Sequence, residues 1–465
     1  MNKIFKAYEN IPLHQYADKL YCRIPNRFKY GRVYSEYKAL LCRSSQWSKE
    51  QHETYQFGKL KELLIHAYEN TTYYRNVFDR IEFSPYNFSS FSEMQRLPFL
   101  DKTIIKTNFD DLIAKNISRK HQQLRSTGGT TGNQLYFLGQ DNTKQMELPF
   151  VESIWERVGF IPEKKTLAVL RNDLFVDEQL FKFNYRHNKL IINNFHLDDK
   201  NIHAILDRLS KDRIEYLHTY PSAALCLAEY IRREGYSNPL YLRAILVTSE
   251  NIYPGQKEII EETLGGRVFT FYGHSERACI AGWCEYSDYY HINSEYGYTE
   301  LIGPDNRVIT KSCVTGEIVC TGFGNIVMPF IRYRTGDYSS YAEEQHCKCG
   351  RNYTLLNDIQ GRWLQEMLVR KDSSKVSITA LNMHSDIFRN VRNYQIIQNS
   401  PGELVIRVVK GENYSASDED SIKKEFMLKL GGDFSINFVY DTDIEKTKAG
   451  KHKYLIQNIN SGVVE

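Results

Sequence analysis

From the start of the chain to about residue 95, apolar side chains recur every three or four positions. In "YQFGKLKELLIHAYENTTYYRNVFD" this places Leu60, Leu63, Leu64 and Ala67 on one face, and the spacing predicts helices. Further on, short apolar runs alternate with amphipathic stretches. The runs "TLAVLR", "YLRAILVTS" and "RVFTFYG" read as strands. "NIHAILDRLSKDR", "PSAALCLAEYIRREG" and "PGQKEIIEETLGG" read as helices, the last two opening on proline and closing on glycine. Strands alternating with helices imply βαβ units and a largely parallel sheet covered by helices. After residue 300 short strands separated by turns take over, in "YTELI", "GEIVCTG" and "MPFIRYRTGD". A last segment, from about Gln360, carries strands "NYQIIQ", "GELVIRVVK" and "FSINFVYD" around the helix "DEDSIKKEFMLKLGG". The expected fold class is α/β: a large N-terminal domain over 1–360 (helical 1–95, α/β core 96–300, short-strand region 301–360) and a small α+β C-terminal domain over 361–465.

Composition narrows the partners. A net charge of +3 over 465 residues is too small to demand nucleic acid or an anionic membrane. No run approaches the roughly 20 apolar residues that cross a bilayer, and "MNKIFKAYENIPLHQY" lacks the apolar middle of a signal peptide. A soluble, cytoplasmic protein without membrane insertion is expected. Of nine cysteines, most sit singly in apolar segments, as Cys226 and Cys320 do, and read as small core residues rather than disulfide partners.

The candidate chemistry begins at "RSTGGTTG", where three glycines and four hydroxyls occupy Ser126, Thr127, Gly128, Gly129, Thr130, Thr131 and Gly132. Backbone without bulk lets N–H groups converge on an anion, and hydroxyls add rotatable donors, so a phosphate is the expected guest. A Walker loop needs Gly-Lys-Ser/Thr after four residues, and no lysine stands there, which disfavours a kinase or GTPase. Taken alone, the loop reads equally well as a flexible surface turn.

Downstream, "FYGHSE" (Phe271 to Glu276), "RYRTGD" (Arg332 to Asp337), Gly361-Arg362 and "KAGK" ending at Lys451 follow in an order and spacing that resemble the adenylate-forming enzymes. Within them the chain is most similar to phenylacetate-CoA ligases and CapK-type proteins of capsular polysaccharide biosynthesis. The second likeness rests on "HINSEYGYTELI", "CKCGR" and "VSITALNMHSDIF" followed by "YQIIQ". The resemblance implies ATP-dependent activation of a small-molecule carboxylic acid as acyl adenylate. Transfer of the acyl group to CoA, a carrier or a sugar amine then follows. It implies that the loop residues hold the β and γ phosphates, that Tyr272 and Gly273 meet the adenine, and that Ser275 reaches the phosphates. It further implies Glu276 as Mg²⁺ ligand, Asp337 on the ribose hydroxyls, His274 toward the acyl substrate, and Lys451 completing the adenylation site from a mobile C-terminal cap. Arg334 and Arg362 are both suitable guanidinium donors to the nucleotide. Lys446, Lys448 and Lys453 compete with Lys451, and Trp363, Leu364 and Gln365 stand where many relatives carry hinge aspartates.

A second metal signal lies in "CEYSDYYH" and "HCKCG". Cys284, His291, Cys347 and Cys349 offer three thiolates and one imidazole, which suit structural, tetrahedral Zn²⁺ if the segments meet; His346 is an alternative nitrogen. Two further readings stand beside the enzyme. One is a non-catalytic nucleotide-binding or scaffold protein of polysaccharide assembly. The other is a glycosyltransferase, for which "DTD" at 441–443 is the sole nominal motif and sits away from the expected sheet.

Overall fold

The computed structural model describes residues 12–459, apart from 128–134, 172, 174, 176–178, 195–196, 198, 251, 253–254, 362–366, 373, 378–385, 389, 412, 443 and 445–454. Helices open the chain, as the apolar spacing predicts: α1 (Pro12–Arg23), α2 (Asn26–Ser44), α3 (Lys49–Asn70) and α4 (Thr72–Arg80). A reciprocal cap between Ser48 and Gln51 starts α3, and its buried face includes Leu60, Leu63, Leu64 and Ala67. Each such buried leucine contributes roughly 1.5–3 kcal/mol. These side chains pack with Tyr74, Val77 and Phe78 of α4 against Met328, Phe330, Ile331 and Tyr333. The Tyr74 hydroxyl donates to Pro329 O at 2.9 Å and accepts from Ile331 N at 3.1 Å. The helical segment thereby braces the chain that enters "RYRTGD" from behind.

After α5 (Lys102–Thr107), strands β1 (Gln122–Ser126) and β2 (Tyr136–Gln140) pair antiparallel, with Ser126 opposite Tyr136. "STGGTTG" thus connects the arms of a hairpin. Thr127 closes its base: its N–H donates to Leu135 O at 2.9 Å and its hydroxyl accepts from Leu135 N at 3.1 Å.

Next come α6 (Thr143–Trp155), β3 (Leu167–Arg171), β4 (Phe181–Asn184), β5 (Lys189–Asn193), α7 (Asp199–Lys211), β6 (Tyr216–Thr219), α8 (Pro221–Glu234), β7 (Ala244–Val247), α9 (Gln256–Leu264), β8 (Arg267–Gly273), β9 (Ile280–Gly282) and β10 (Tyr290–Ile292). With β14 (Leu355–Leu356) these strands form one sheet in the order β14-β10-β9-β8-β7-β6-β3-β5-β4. The block from β8 to β5 is parallel, as expected, and its flanks are antiparallel. β7 is buried along its whole length and β3 along all but its last residue, the continuous apolar runs of strands covered on both faces. Pro221 opens α8, and Gly235 with φ 68° closes it in the left-handed conformation that glycine adopts without strain. The chain leaves the carboxyl end of β3 toward β5, but leaves β6 toward β7, so the connections diverge between these adjacent strands.

A second sheet, antiparallel, holds β11 (Gly297–Ile302), β12 (Gly316–Gly322) and β13 (Tyr333–Ser339). The C-terminal part has the hairpin β15 (Met367–Val369) and β16 (Lys375–Ser377), then β17 (Val391–Ser400), β18 (Glu403–Lys410), α10 (Ala416–Leu430), β19 (Ser435–Asp441) and β20 (Leu455–Gln457). Its sheet runs β19-β18-β17-β20, and α10 buries Ile422, Phe426 and Leu430. The α+β character read from the sequence is borne out. Among the described residues no helix is long and apolar enough to cross a membrane.

Candidate active site

Two sheets contribute to one polar cluster. β8 ends at Gly273, so the side chains that follow emerge at the carboxyl edge of the parallel block. β13 approaches from the second sheet, and its pairing with β12 slips between Glu317 and Val319. The slip is a bulge over Thr335-Gly336-Asp337 with Gly336 at φ 72°, a backbone region where an L side chain is strained. Its polar groups are answered locally. Thr335 Oγ1 donates to Ile318 O at 2.7 Å and accepts from Asp337 N at 3.0 Å, while Gly336 N donates to Glu317 Oε1 at 3.0 Å. The bulge aims Asp337 inward, where Tyr272 donates its hydroxyl proton to Asp337 Oδ2 at 2.8 Å.

Beside this pair lies Glu276, buried to 6% exposure. Its Oε2 is 3.2 Å from His274 Nδ1, and its Oε1 accepts from the Tyr333 hydroxyl at 2.5 Å. Burial pushes the Glu276 carboxyl up, but the His274 proton and charge, Lys102 and the Tyr333 hydroxyl outweigh it, holding the group well below the usual carboxylate range. Burial likewise opposes the charged His274, and Glu276, Cys279 and Asp337 overcome it, raising the imidazole above its ordinary value. Both shifts favour the ion pair. Among the described residues His274 Nε2 is buried without a partner, a donor left for something else. Burial, then Asp337, push the Tyr272 phenol well above its ordinary value, so it stays a neutral donor. A cleft with about 480 Å³ of empty space, its open mouth included, has Glu276 in its wall together with Arg125 and Phe137 of the hairpin and Phe150 of α6.

Of the residues singled out from the sequence, the structure brings Tyr272, His274, Glu276 and Asp337 together. Gly273 and Ser275 are exposed at the same edge. Ser126 ends β1, and Thr127 is buried in the hairpin base, its hydroxyl occupied by Leu135 N. Arg334 is not brought in: it alternates to the other side of β13 from Asp337, donating from Nε to Glu317 Oε2 at 2.8 Å and from Nη2 to Asn306 Oδ1 at 3.0 Å. Gly128, Gly129, Thr130, Thr131, Gly132, Arg362 and Lys451 lie outside the described residues, as do Lys446, Lys448 and Lys453. Tyr333 was missed. Counting by two along "RYRTGD" puts Tyr333, Thr335 and Asp337 on one side of the strand, the signal that finds it.

Away from this cluster, Cys284, His291, Cys347 and Cys349 converge, their ligand atoms all within 4.8 Å of one another. Cys284 Sγ lies 3.4 Å from Cys347 Sγ, and Cys349 Sγ 3.3 Å from His291 Nε2. A tetrahedron of bonds about 2.3 Å long has edges of about 3.8 Å, so the donors are near the spacing that Zn²⁺ requires. His291 Nδ1 is 3.0 Å from Tyr289 O, a contact that, with Nδ1 protonated, leaves the Nε2 lone pair facing the thiols. His346 is exposed and outside the group.

Residues 368–458 match the family described as CapK C-terminal domain. Over 409 residues the chain is 22% identical to Protein CapK of Staphylococcus aureus, covering 86% of this chain and 88% of that protein. It is 23% identical over 332 residues to the phenylacetate-coenzyme A ligase of Thermus thermophilus, covering 69% and 73%. The corresponding ligase of Escherichia coli is 24% identical over 296 residues, covering 62% and 67%. Among solved structures, 2-hydroxyisobutyryl-CoA ligase with 2-HIB-AMP and CoA in its thioesterification state superposes with a TM-score of 0.59 at 20% identity, over 90% of this chain and 91% of that one. Its postadenylation state gives 0.57 at 19% identity, over 90% and 92%. The likeness read from the motifs holds on both counts: the chain is CapK-like and phenylacetate-CoA ligase-like in sequence, with the fold of an adenylate-forming ligase.

Proposed function

We propose that this adenylate-forming-ligase-like chain activates a carboxylic acid with ATP and then hands the acyl group to an acceptor. The observation that carries the reading is the meeting of Tyr272, Asp337 and Glu276, drawn from two sheets, beside the hairpin that bears "STGGTTG". In this reading the Tyr272 ring lies against the adenine, and Asp337 accepts hydrogen bonds from the ribose hydroxyls. Main-chain amides and hydroxyls of residues 126–132 hold the β and γ phosphates. An oxygen of the acid attacks the α phosphorus, the bond to the bridging oxygen breaks, and pyrophosphate leaves. Lys451, within the segment that matches the CapK C-terminal domain, stabilises charge at that oxygen more in the transition state than in bound ATP, which is what accelerates the step. His274 offers its Nε2–H to the incoming carboxylate. Glu276 fits Mg²⁺, since each of its oxygens accepts one hydrogen bond and keeps a second lone pair; the ion would neutralise phosphate charge. The acceptor's nucleophile then attacks the acyl carbon and AMP departs.

Residues 361–465 act as a cap over the body formed by 1–360, turning about Gly361 and Arg362 between the two half-reactions. The phenylacetate-CoA ligase likeness supports CoA as acceptor; the CapK likeness supports a carrier or sugar amine, with surface polysaccharide assembly as the setting. Exchange of labelled pyrophosphate into ATP over a panel of carboxylic acids tests the first half-reaction. Exchange with at least one acid, abolished in Lys451→Ala and Asp337→Ala, is expected; well-folded protein inert toward every acid would count against it. The thiol and imidazole cluster would hold Zn²⁺ with four protein ligands, a closed site that ties the segment after β13 to the large sheet. Metal analysis of the purified chain is expected to find one zinc, lost in Cys284→Ser.

A further inference from the structure

The edge of the parallel sheet holds a second polar cluster, centred on Arg171. Arg171 ends β3, His218 lies on β6 and Ser249 follows β7. Arg171 Nη1 donates to His218 Nε2 at 2.9 Å and Nη2 to Ser249 Oγ at 2.9 Å, with the guanidinium 4.8 Å over the Tyr220 ring. The Thr248 hydroxyl is 3.2 Å from the same His218 nitrogen. Accepting from a cation leaves His218 neutral, and burial, then Arg171 and Lys189, hold its basicity well down. Among the described residues none of Arg171's hydrogen-bond partners is a carboxylate. Asp173 and Glu250 act on Tyr220 from nearby, yet no carboxylate among the described residues comes within 4.0 Å of the Arg171 guanidinium. Among the described residues its Nε is buried and unanswered, as is Nε1 of Trp155, whose ring stands edge-on to His218 at 5.0 Å.

A half-buried guanidinium that meets only neutral groups costs stability unless an anion arrives. Its place in the fold says which anion. β3 and β6 are the adjacent strands whose connections diverge, and in open α/β sheets ligands bind in the crevice beyond the carboxyl ends of such a pair. That crevice opens on the edge from which Tyr272, His274 and Glu276 rise. Trp155 links the two, lying 6.2 Å from Phe271, which directly precedes Tyr272. Through Ser249 the guanidinium reaches the end of β7, the neighbour of β8, roughly one strand spacing of about 5 Å from it. The cleft beside Glu276 has two cations of its own: Arg277 is already paired with Glu147 at 3.1 Å, and Arg125 is held within its hairpin, Nη2 donating to Gln123 Oε1 at 3.1 Å and Gln140 O at 2.9 Å.

We propose that the acid activated here carries a second carboxylate, which docks on Arg171 while the first is presented to ATP; the substrate class is a short dicarboxylic acid. This deepens the adenylation reading and rests on it for the fate of the first carboxylate. Calorimetric titration of the full chain with glutarate, monomethyl glutarate and valerate tests it. Glutarate is expected to bind at least tenfold tighter than the other two, Arg171→Gln to erase that difference, and Arg171→Lys to retain part of it. Masking the charge on the ligand keeps the test decisive even where Arg171→Gln does not melt cooperatively. Equal binding of glutarate and its monomethyl ester, or no glutarate binding, overturns the proposal. Pyrophosphate exchange separates the two ideas. Arg171-dependent glutarate binding without exchange sinks adenylation alone; exchange driven by monocarboxylates and indifferent to Arg171 sinks the dicarboxylate alone.

Discussion

Two buried carboxylates meet adjacent residues of "RYRTGD", Glu300 at Arg332 and Glu276 at Tyr333, and their acidities are shifted in opposite directions. Glu300 meets Arg332, whose Nε and Nη2 each donate at 3.0 Å to one carboxylate oxygen, and Arg332 Nη1 donates to Leu97 O at 2.7 Å. Both side chains are almost wholly buried, 2% and 3% exposed. Burial still wins there, and Glu300 is held above the ordinary carboxylate value despite the attraction of Arg332. At Glu276 burial loses, because an imidazolium, a lysine and a phenol act on one carboxyl. Glu300 and Arg332 use each other up, whereas His274 keeps a donor in reserve. Charged pairs inside a protein thus differ: one is a closed set that joins elements, the other an open set with a donor unspent.

The largest expected effect breaks the closed pair. Glu300→Ala strands the Arg332 guanidinium and should cost about 3–5 kcal/mol by urea unfolding, whereas replacing both residues with apolar ones should restore most of it. Full recovery of neither would show that the pair does more than join strands. Next, Glu276→Gln should reduce pyrophosphate exchange about 100-fold, about 2.7 kcal/mol, the scale of losing one preorganised charge-stabilising group, with a smaller loss of stability than Glu300→Ala. A variant as active as wild type would place Glu276 with the closed pairs.

A pH series sharpens the contrast. Glu276 is held below its ordinary value, so its stabilisation is present above roughly pH 4.3 and disappears as pH falls through the folded value. His274 is held above its ordinary value, so its share is complete below roughly pH 6.5 and fades as pH rises through the folded value. The stability gap between wild type and His274→Gln should therefore be widest near pH 5–6 and narrow by pH 9, when each is unfolded in urea. Glu300, held high, predicts the reverse of Glu276's slope: stability falls as pH rises from its unfolded value to its folded one. The smallest effect belongs to Tyr333→Phe, which removes one hydrogen bond to a charged acceptor and should cost about 1.5–3 kcal/mol at most in thermal or urea melts.

Much of this was legible in the letters. Period-3.6 runs marked α3, α7, α8 and α9, each burying one side against a layer, and short apolar runs marked β3, β7 and β8, of which β3 and β7 are covered on both faces. β6 escaped: four residues, with polar His218 and Thr219, are too short to show a period. The antiparallel flanks escaped as well, since β9, β10 and β14 are two or three residues long and owe their pairing to neighbours. Motif order brought Tyr272, Glu276 and Asp337 to notice but could not say that a bulge aims Asp337, or that Arg334 turns away to Glu317. Arg171 carried no motif at all. Its place among the neutral groups His218, Ser249 and Tyr220 is a property of three strand ends meeting, visible once β3, β6 and β7 stand side by side.

One rung of backbone joins two jobs. Tyr338 and Gln360 exchange hydrogen bonds, N to O at 2.9 and 2.8 Å, so the residue just before Gly361 is laced to the residue just after Asp337. In the proposed reading, the fulcrum of the cap's swing would be tied by this pairing to the strand whose Asp337 would hold the ribose. Were both roles borne out, sugar occupancy and lever position would share a single peptide ladder, and a slip of that ladder would be felt by both at once.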